Sequence, residues 1–240
     1  MTAETRPPAS ATVQFDGGDL VLELRHDAEG PYYAFPGTRS EAPAPRVTLP
    51  LERALHARIR LAGTAEAVLR AWSQGAPPQG AVEPVDPSAV EPVRVRAGAV
   101  VIRDGSVLLI RFTEDDGASH YEIPGGGVEE GETPETAVLR ELDEETGLAG
   151  TVGPRIARVW KGGRHEHYFR VAATGEIGPP ETLDNYGGTP LWVPVEELPA
   201  LPLWPKRLSW RIAHWHRTGW PDRPAELADS IEELEPPCTW

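Results

Sequence analysis

Cysteine and lysine are nearly absent from this 240-residue chain, which has only Cys238, Lys161 and Lys206 of the two types. A lone thiol excludes an intramolecular disulfide framework and suits the cytoplasm. No apolar run approaches the length that spans a bilayer, and the opening MTAETRPPAS lacks an apolar signal core, so no membrane partner is expected. Cationic charge is scarce too: 23 Lys and Arg face 37 Asp and Glu, a net charge of −14. That balance argues against gripping the backbone of long nucleic acid, which needs a basic surface. The positive charge is almost all arginine, and alongside 26 prolines and 24 glycines this reads as coding bias in a GC-rich genome.

What is present is a soluble globular composition, 40% hydrophobic and 25% charged, long enough for two modest domains or one elaborated domain. Residues 1–74 read as a small α+β N-terminal domain. Ala11 to Phe15 and Leu20 to Arg25 alternate as strands around Asp16-Gly17-Gly18-Asp19, and Tyr32, Tyr33 and Phe35 suggest a further strand or a buried loop. Leu51 to Leu61 and Thr64 to Trp72 read as helices split by Gly63, with Thr64 as N-cap. Residues 75–93, GAPPQGAVEPVDPSAVEPV, are punctuated by proline and read as a linker or strap without regular structure. The first domain reads as a dimerisation or packing module, which would make the protein a homodimer; a substrate lid or specificity domain is the alternative.

The densest information lies in residues 94–240, between Gly126 and Leu148, GGVEEGETPETAVLRELDEETGL. Thr133 is a good N-cap, Pro134 suits the first helical position, and Gly147 stands where a left-handed residue closes a helix, so the spacing predicts a helix over 134–146. At about 100° per residue, Glu141, Glu144 and Glu145 share one arc beside the apolar stripe of Val138, Leu139 and Leu142. Like charges at that spacing repel unless a cation sits among them. Hard oxygen ligands that leave room for water and phosphate suit Mg²⁺, with Mn²⁺ as substitute. An acidic run of this kind is also, in general, an ordinary solvated helix face. Here the glycines, Glu132 and Arg140 at fixed offsets set it apart. Arg140 lies one turn before Glu144, within ion-pair reach.

Every specified position of the spacing Gx5Ex7REUxEExGU, with U apolar, is filled, and in this the chain resembles the Nudix hydrolases. The resemblance covers roughly Arg94 to Arg217 and implies an α/β/α sandwich that cleaves a diphosphate linkage. It implies that Glu132 holds Arg140, that Glu141, Glu144 and Glu145 bind the metal, and that the carbonyl near Gly126 is a further ligand. Tyr121 stands three residues before Pro124, where the family usually has tryptophan. The surrounding sequence reads consistently: an apolar strand over 95–103, a hairpin turn at Asp104-Gly105, a strand over 106–112, two strands around Lys161-Gly162-Gly163, a short strand over 190–195, and a helix over 206–217.

Substrate signatures outside the box are missing. The proline that follows the box in ADP-ribose pyrophosphatases is replaced by Gly163 and Arg164, the array of NADH pyrophosphatases is absent, and Tyr168 is near but not at the tyrosine position of dinucleoside polyphosphate hydrolases. Cys238 is misplaced for the isomerases that share the fold. Arg111 and Arg164 are candidates for phosphate oxygens, His165 and His167 for a shared strand face, and Trp160, Tyr186 and Trp192 for stacking a base. The expected enzyme is a pyrophosphohydrolase acting on a small nucleotide, with Glu144 as candidate base and Glu181 or Asp184 on a late loop as alternatives. A nucleotide-binding regulator on the same scaffold is the other reading, although such proteins often lose box carboxylates and this box keeps them all.

Overall fold

The computed structural model describes residues 11–27, 30–37, 44–54, 57–82, 92–161 and 164–228, and these divide into two compact units, one up to residue 82 and one from residue 92. In the first unit come β1 (Ala11–Val13), β2 (Phe15–Asp16), β3 (Asp19–Asp27), β4 (Gly30–Ala34), β5 (Arg46–Leu49), α1 (Leu51–Ala54), α2 (Ala62–Ser73) and β6 (Gly80–Val82). Gly17 and Gly18 both take positive φ, which lets β2 fold back on β3. β3 pairs with β4 and β5, and α2 closes the core through Ala65, Val68 and Leu69 against Leu20, Leu22 and Phe35.

Three expectations for this unit need correction. The helix expected over 51–61 is described only as Leu51–Ala54, because Ile59 bridges to Tyr33 as strand. That extended stretch lets Arg58 and Arg60 both reach Asp27, at 2.8 and 2.6 Å. Thr64 is not an N-cap: α2 starts two residues earlier, after Leu61 in left-handed conformation, and Thr64 is buried within the helix. The segment 75–93 is not without regular structure, since β6 pairs antiparallel with β1. Pro78 and Pro84 leave five residues between them, enough for three ladder positions; residues 83–91 lie outside the described residues.

The second unit runs β7 (Arg94–Val100), β8 (Ile102–Arg103), β9 (Ser106–Thr113), β10 (Ser119–Glu122), β11 (Gly125–Gly127), α3 (Pro134–Thr146), β12 (Ala149–Lys161), β13 (Arg164–Thr174), β14 (Thr189–Pro194), β15 (Leu203–Trp204), α4 (Lys206–Thr218) and β16 (Ala225–Ala228). One sheet is ordered β11-β7-β13-β12-β16 and the other β14-β9-β10-β15, with β8 on β9. Asp104 and Gly105 have φ of 50° and 74°, the conformation a two-residue hairpin needs. Strand alternation then sorts the core by face. Ala97, Ala99, Val101, Leu108, Phe169 and Val171 pack with Val138 and Leu142 of α3. Val100, Val107, Leu109 and Tyr168 pack with Leu208, Ile212 and Trp215 of α4. Helices thus cover both faces of the β layer, an α/β/α sandwich built by the period of two in each strand.

Candidate active site

α3 begins and ends on the residues that local chemistry selects. Thr133 Oγ1 accepts from the Thr136 amide at 3.2 Å, Pro134 fills the first turn, and Gly147 at φ 74° donates to Asp143 O. Val138 and Leu142 are fully buried; Glu145, two turns past Val138, lies on the same face and is buried with it, Glu141 is partly buried beside that face, and Glu144 is exposed. Arg140 ties this helix to the loop before it. Its Nε and Nη2 donate to the two carboxylate oxygens of Glu132 at 3.0 and 2.9 Å, and Nη2 also donates to Gly127 O at 2.9 Å. Nη1 donates to Glu141 and Glu144 at 2.9 and 3.0 Å. The guanidinium hydrogen bond holds the Glu132 carboxyl below the usual carboxylate range, and the same bond leads the effects that keep Arg140 charged.

Gly126 lies directly beneath the Glu141 carboxylate, where a Cβ would collide with it. Glu145 is buried, 6% exposed, and accepts from the Gly125 amide at 2.8 Å. Burial first, then the nearby Glu141 and Glu122 charges, push its carboxyl up to about 8, against the opposing pull of the Gly125 amide and Arg96. A divalent cation relieves both the burial and the like-charge cost. The donor set of hard carboxylate oxygens against a glycine backbone therefore fits Mg²⁺ or Mn²⁺. Glu141, Glu144 and Glu145 do not form a converged cage here: among the described residues no group of three or more His, Cys, Asp or Glu has metal-holding geometry. Glu141 and Glu144 instead share Arg140 Nη1.

A cleft of about 430 Å³ opens beside the box, lined by Arg96, Glu122, Glu166, Tyr168, Trp204 and Pro205 among others. Gly125 joins the two: its amide serves Glu145 and its carbonyl accepts from Arg96 Nη2 at 2.7 Å. Arg96 also stands 3.6 Å from Glu122. The parallel register of β13 on β7 sets Glu166 beside Arg96 and Tyr168 beside Gly98, and the Tyr168 ring lies where a Gly98 side chain would be.

Of the substrate contacts expected from sequence, only Arg164 lines this cleft. Trp192 is corrected to a packing residue: it pairs with Leu108, sits against the α3-side core and carries the Arg103 guanidinium 4.8 Å over its ring. Tyr186 is 87% exposed in a left-handed turn and stacks nothing among the described residues. Arg111 is exposed on β9, paired with Tyr121 and Thr189, outside the cleft lining. Asp184 is exposed, but its amide donates to Glu144 O at 2.8 Å, which ties the late loop to the end of α3; Glu181 is exposed in the preceding turn. His165 and His167 lie 4.3 Å apart, with Trp160 stacked on His165, and do not line the cleft.

Arg96, Glu122, Glu166 and Trp204 escaped the sequence reading. Arg94 and Arg96, spaced by two in the apolar strand ending at Val100, were a signal, but only the β7–β13 register brings Arg96 to Glu166.

The Nudix domain model matches residues 92–215, just over half of the chain. The chain belongs to the Nudix family. It is a Nudix hydrolase, of the class that cleaves diphosphate linkages. Among curated relatives, the RNA pyrophosphohydrolase of Erythrobacter litoralis is 29% identical over 46% of this chain and 83% of its own length. The CTP pyrophosphohydrolase of Escherichia coli is 43% identical over 25% of this chain and 44% of its own length. A solved Nudix hydrolase from Nitrosomonas europaea aligns with a TM-score of 0.45 at 22% identity, covering 55% of this chain and 92% of that one. No helix among the described residues of this Nudix protein is long and apolar enough to cross a membrane.

Proposed function

We infer that this Nudix hydrolase cleaves the diphosphate of a small nucleotide or nucleoside diphosphate derivative with Mg²⁺, or Mn²⁺ in its place, as cofactor. The observation that carries the reading is the buried Glu145, set beside Glu141 and the Gly125–Gly126 backbone, with Gly125 also bonded to Arg96 of a nucleoside-sized cleft. Glu141, Glu144, Glu145 and the Gly126 carbonyl are the proposed ligands. When bound, the metal neutralises diphosphate charge and supplies an activated water. Arg140 and Glu132 keep the box loop and α3 in register, and Arg164 faces the substrate. Water oxygen attacks one phosphorus, the bridging P–O bond breaks, and the departing phosphate keeps the electron pair. Glu144 takes the water proton, with Asp184, tied to the Glu144 carbonyl, as the alternative base ahead of Glu181.

The net charge of −14 supports a free nucleotide over the 5′ end of a long RNA, since an acidic surface repels a polyanion. A cytoplasmic setting fits the single cysteine. The test is a phosphate-release screen over nucleoside di- and triphosphates, nucleotide sugars and dinucleotides, with triphosphorylated RNA alongside. Cleavage should require a divalent cation, and Glu145→Gln should lower turnover at least about a hundredfold. Parental rates in the variant would refute the site, and RNA processed with free nucleotides untouched would refute the substrate.

A further inference from the structure

Glu166 is a buried carboxylate, 5% exposed, that lines the cleft with one of its two oxygens in no hydrogen bond. Tyr168, itself buried, donates its hydroxyl to Glu166 Oε2 at 2.7 Å. That bond fixes the carboxylate. The other oxygen, Oε1, has Arg164 Nε 3.8 Å away, beyond hydrogen-bond reach. A carboxylate accepts and does not donate, and Oε1 is the oxygen left open to a ligand in the cleft. The site therefore asks for a ligand that brings an N–H or O–H to Oε1.

What occupies the cleft is constrained from both ends. Arg96 and Arg164 line it together with Glu114, Glu122 and Glu166, but each arginine already stands beside a carboxylate, Arg96 at 3.6 Å from Glu122 and Arg164 at 3.8 Å from Glu166, so the cleft is a poorer seat for a phosphate than the box. Phosphates belong at the box, one peptide away: Gly125 contacts Glu145 on one side and Arg96 of the cleft on the other. A molecule whose diphosphate lies at the box thus projects its organic part into the cleft. Trp204 and Pro205 give that part a flat apolar wall, and a cavity of about 430 Å³ accepts a nucleoside.

We propose that Glu166, held by Tyr168, selects nucleotides whose base carries an exocyclic amine. This rests on the diphosphatase reading above and names the part of the substrate that the cleft recognises. Cytosine, adenine and guanine offer an amine donor to Oε1. Uracil and hypoxanthine present a carbonyl at the corresponding position of cytosine and adenine, and hypoxanthine lacks the amine of guanine. An acceptor against an acceptor is repelled, so the discrimination has an attractive and a repulsive part.

The test is calorimetric binding of the α,β-methylene triphosphates of cytidine and uridine, and of guanosine and inosine, to the full chain with Mg²⁺. The amine-bearing member of at least one pair should bind about tenfold or more tightly, the range for a hydrogen bond to a charged group. Glu166→Gln, whose amide can either donate or accept, should shrink that preference to about threefold or less, with its thermal midpoint recorded beside it. Should the variant fail to fold, the paired ligands on the parental protein decide the matter alone. Equal affinities within both pairs, or no binding by any of the four, overturns the assignment. Turnover of the parent triphosphates is measured separately. Selective binding without turnover would refute the diphosphatase reading and leave this one standing, and turnover without selectivity would do the reverse.

Discussion

Replacing Arg140 by lysine separates charge from geometry at the centre of the box. The guanidinium donates at 2.9–3.0 Å to Glu132, Gly127 O, Glu141 and Glu144, and it is the fork shape that allows this. An ammonium on a shorter fork-less stem serves one or two of these acceptors. Glu144 is 45% exposed in its side chain and rehydrates when released, so its bond contributes little. Glu132, at 11%, and the Gly127 carbonyl are more enclosed and account for most of the loss. Counting one net bond to an enclosed carboxylate gives about 2 kcal/mol of destabilisation. For a unit of this size that lowers the thermal midpoint by about 4–8 °C. Glu141 and Glu144 also lose their common donor, so turnover should fall by more than stability does. Circular dichroism melts and initial rates of Arg140→Lys, Glu132→Gln and the double variant measure both effects. The two changes should be less than additive by about 1 kcal/mol, because each breaks the same bidentate pair. Strict additivity, or a midpoint within about 1 °C of the parent, would show that the clamp does not hold the box.

Two further outcomes are expected. His167 is held at about 3, well below its usual value, by burial first and by His165, Arg155 and Arg158 nearby. The unfolded chain then binds a proton below about 6.5 that the folded chain refuses, so this contribution is complete above that pH and is lost on acidification towards 3; at pH 5 the loss is about 2 kcal/mol. Urea midpoints at pH 7 and pH 5 should differ less in His167→Gln than in the parent, and an unchanged difference would place the acid sensitivity elsewhere. A fragment starting near Glu91 should unfold cooperatively, because the described residues from 92 onward enclose two apolar clusters of their own. A molten near-UV spectrum would show that the first unit completes that core, and a change in sedimentation relative to the full chain would report on its role in association.

Much of the box was legible because its determinants are local. Thr133, Pro134 and Gly147 set the limits of α3 through capping and backbone conformation, which need no partner distant in sequence. Asp104-Gly105 specified its hairpin in the same way. In the first unit the helical reading of 51–61 failed because Ile59 pairs as strand with Tyr33, a contact distant in sequence that outweighs local propensity. The short strand Gly80–Val82 was hidden among prolines, since its reason for existing is β1, nearly seventy residues earlier.

The sequence by itself determined the family, the helix that carries the glutamates and the residues of the Glu132–Arg140 clamp, since glycine turns, caps and fixed offsets act over a few residues. Tertiary structure alone decided which side chains share the cleft. Trp192 and Tyr186 were candidates when read along the chain and Trp204 was not, but the pairing of Trp192 with Leu108 sends it to the α3 side and the left-handed turn leaves Tyr186 in solvent. The pairing of Arg96 with Glu166 depends on a parallel register between strands some seventy residues apart. Such registers are set by the packing of whole faces, α3 on one side of the β layer and α4 on the other, and no local rule encodes them.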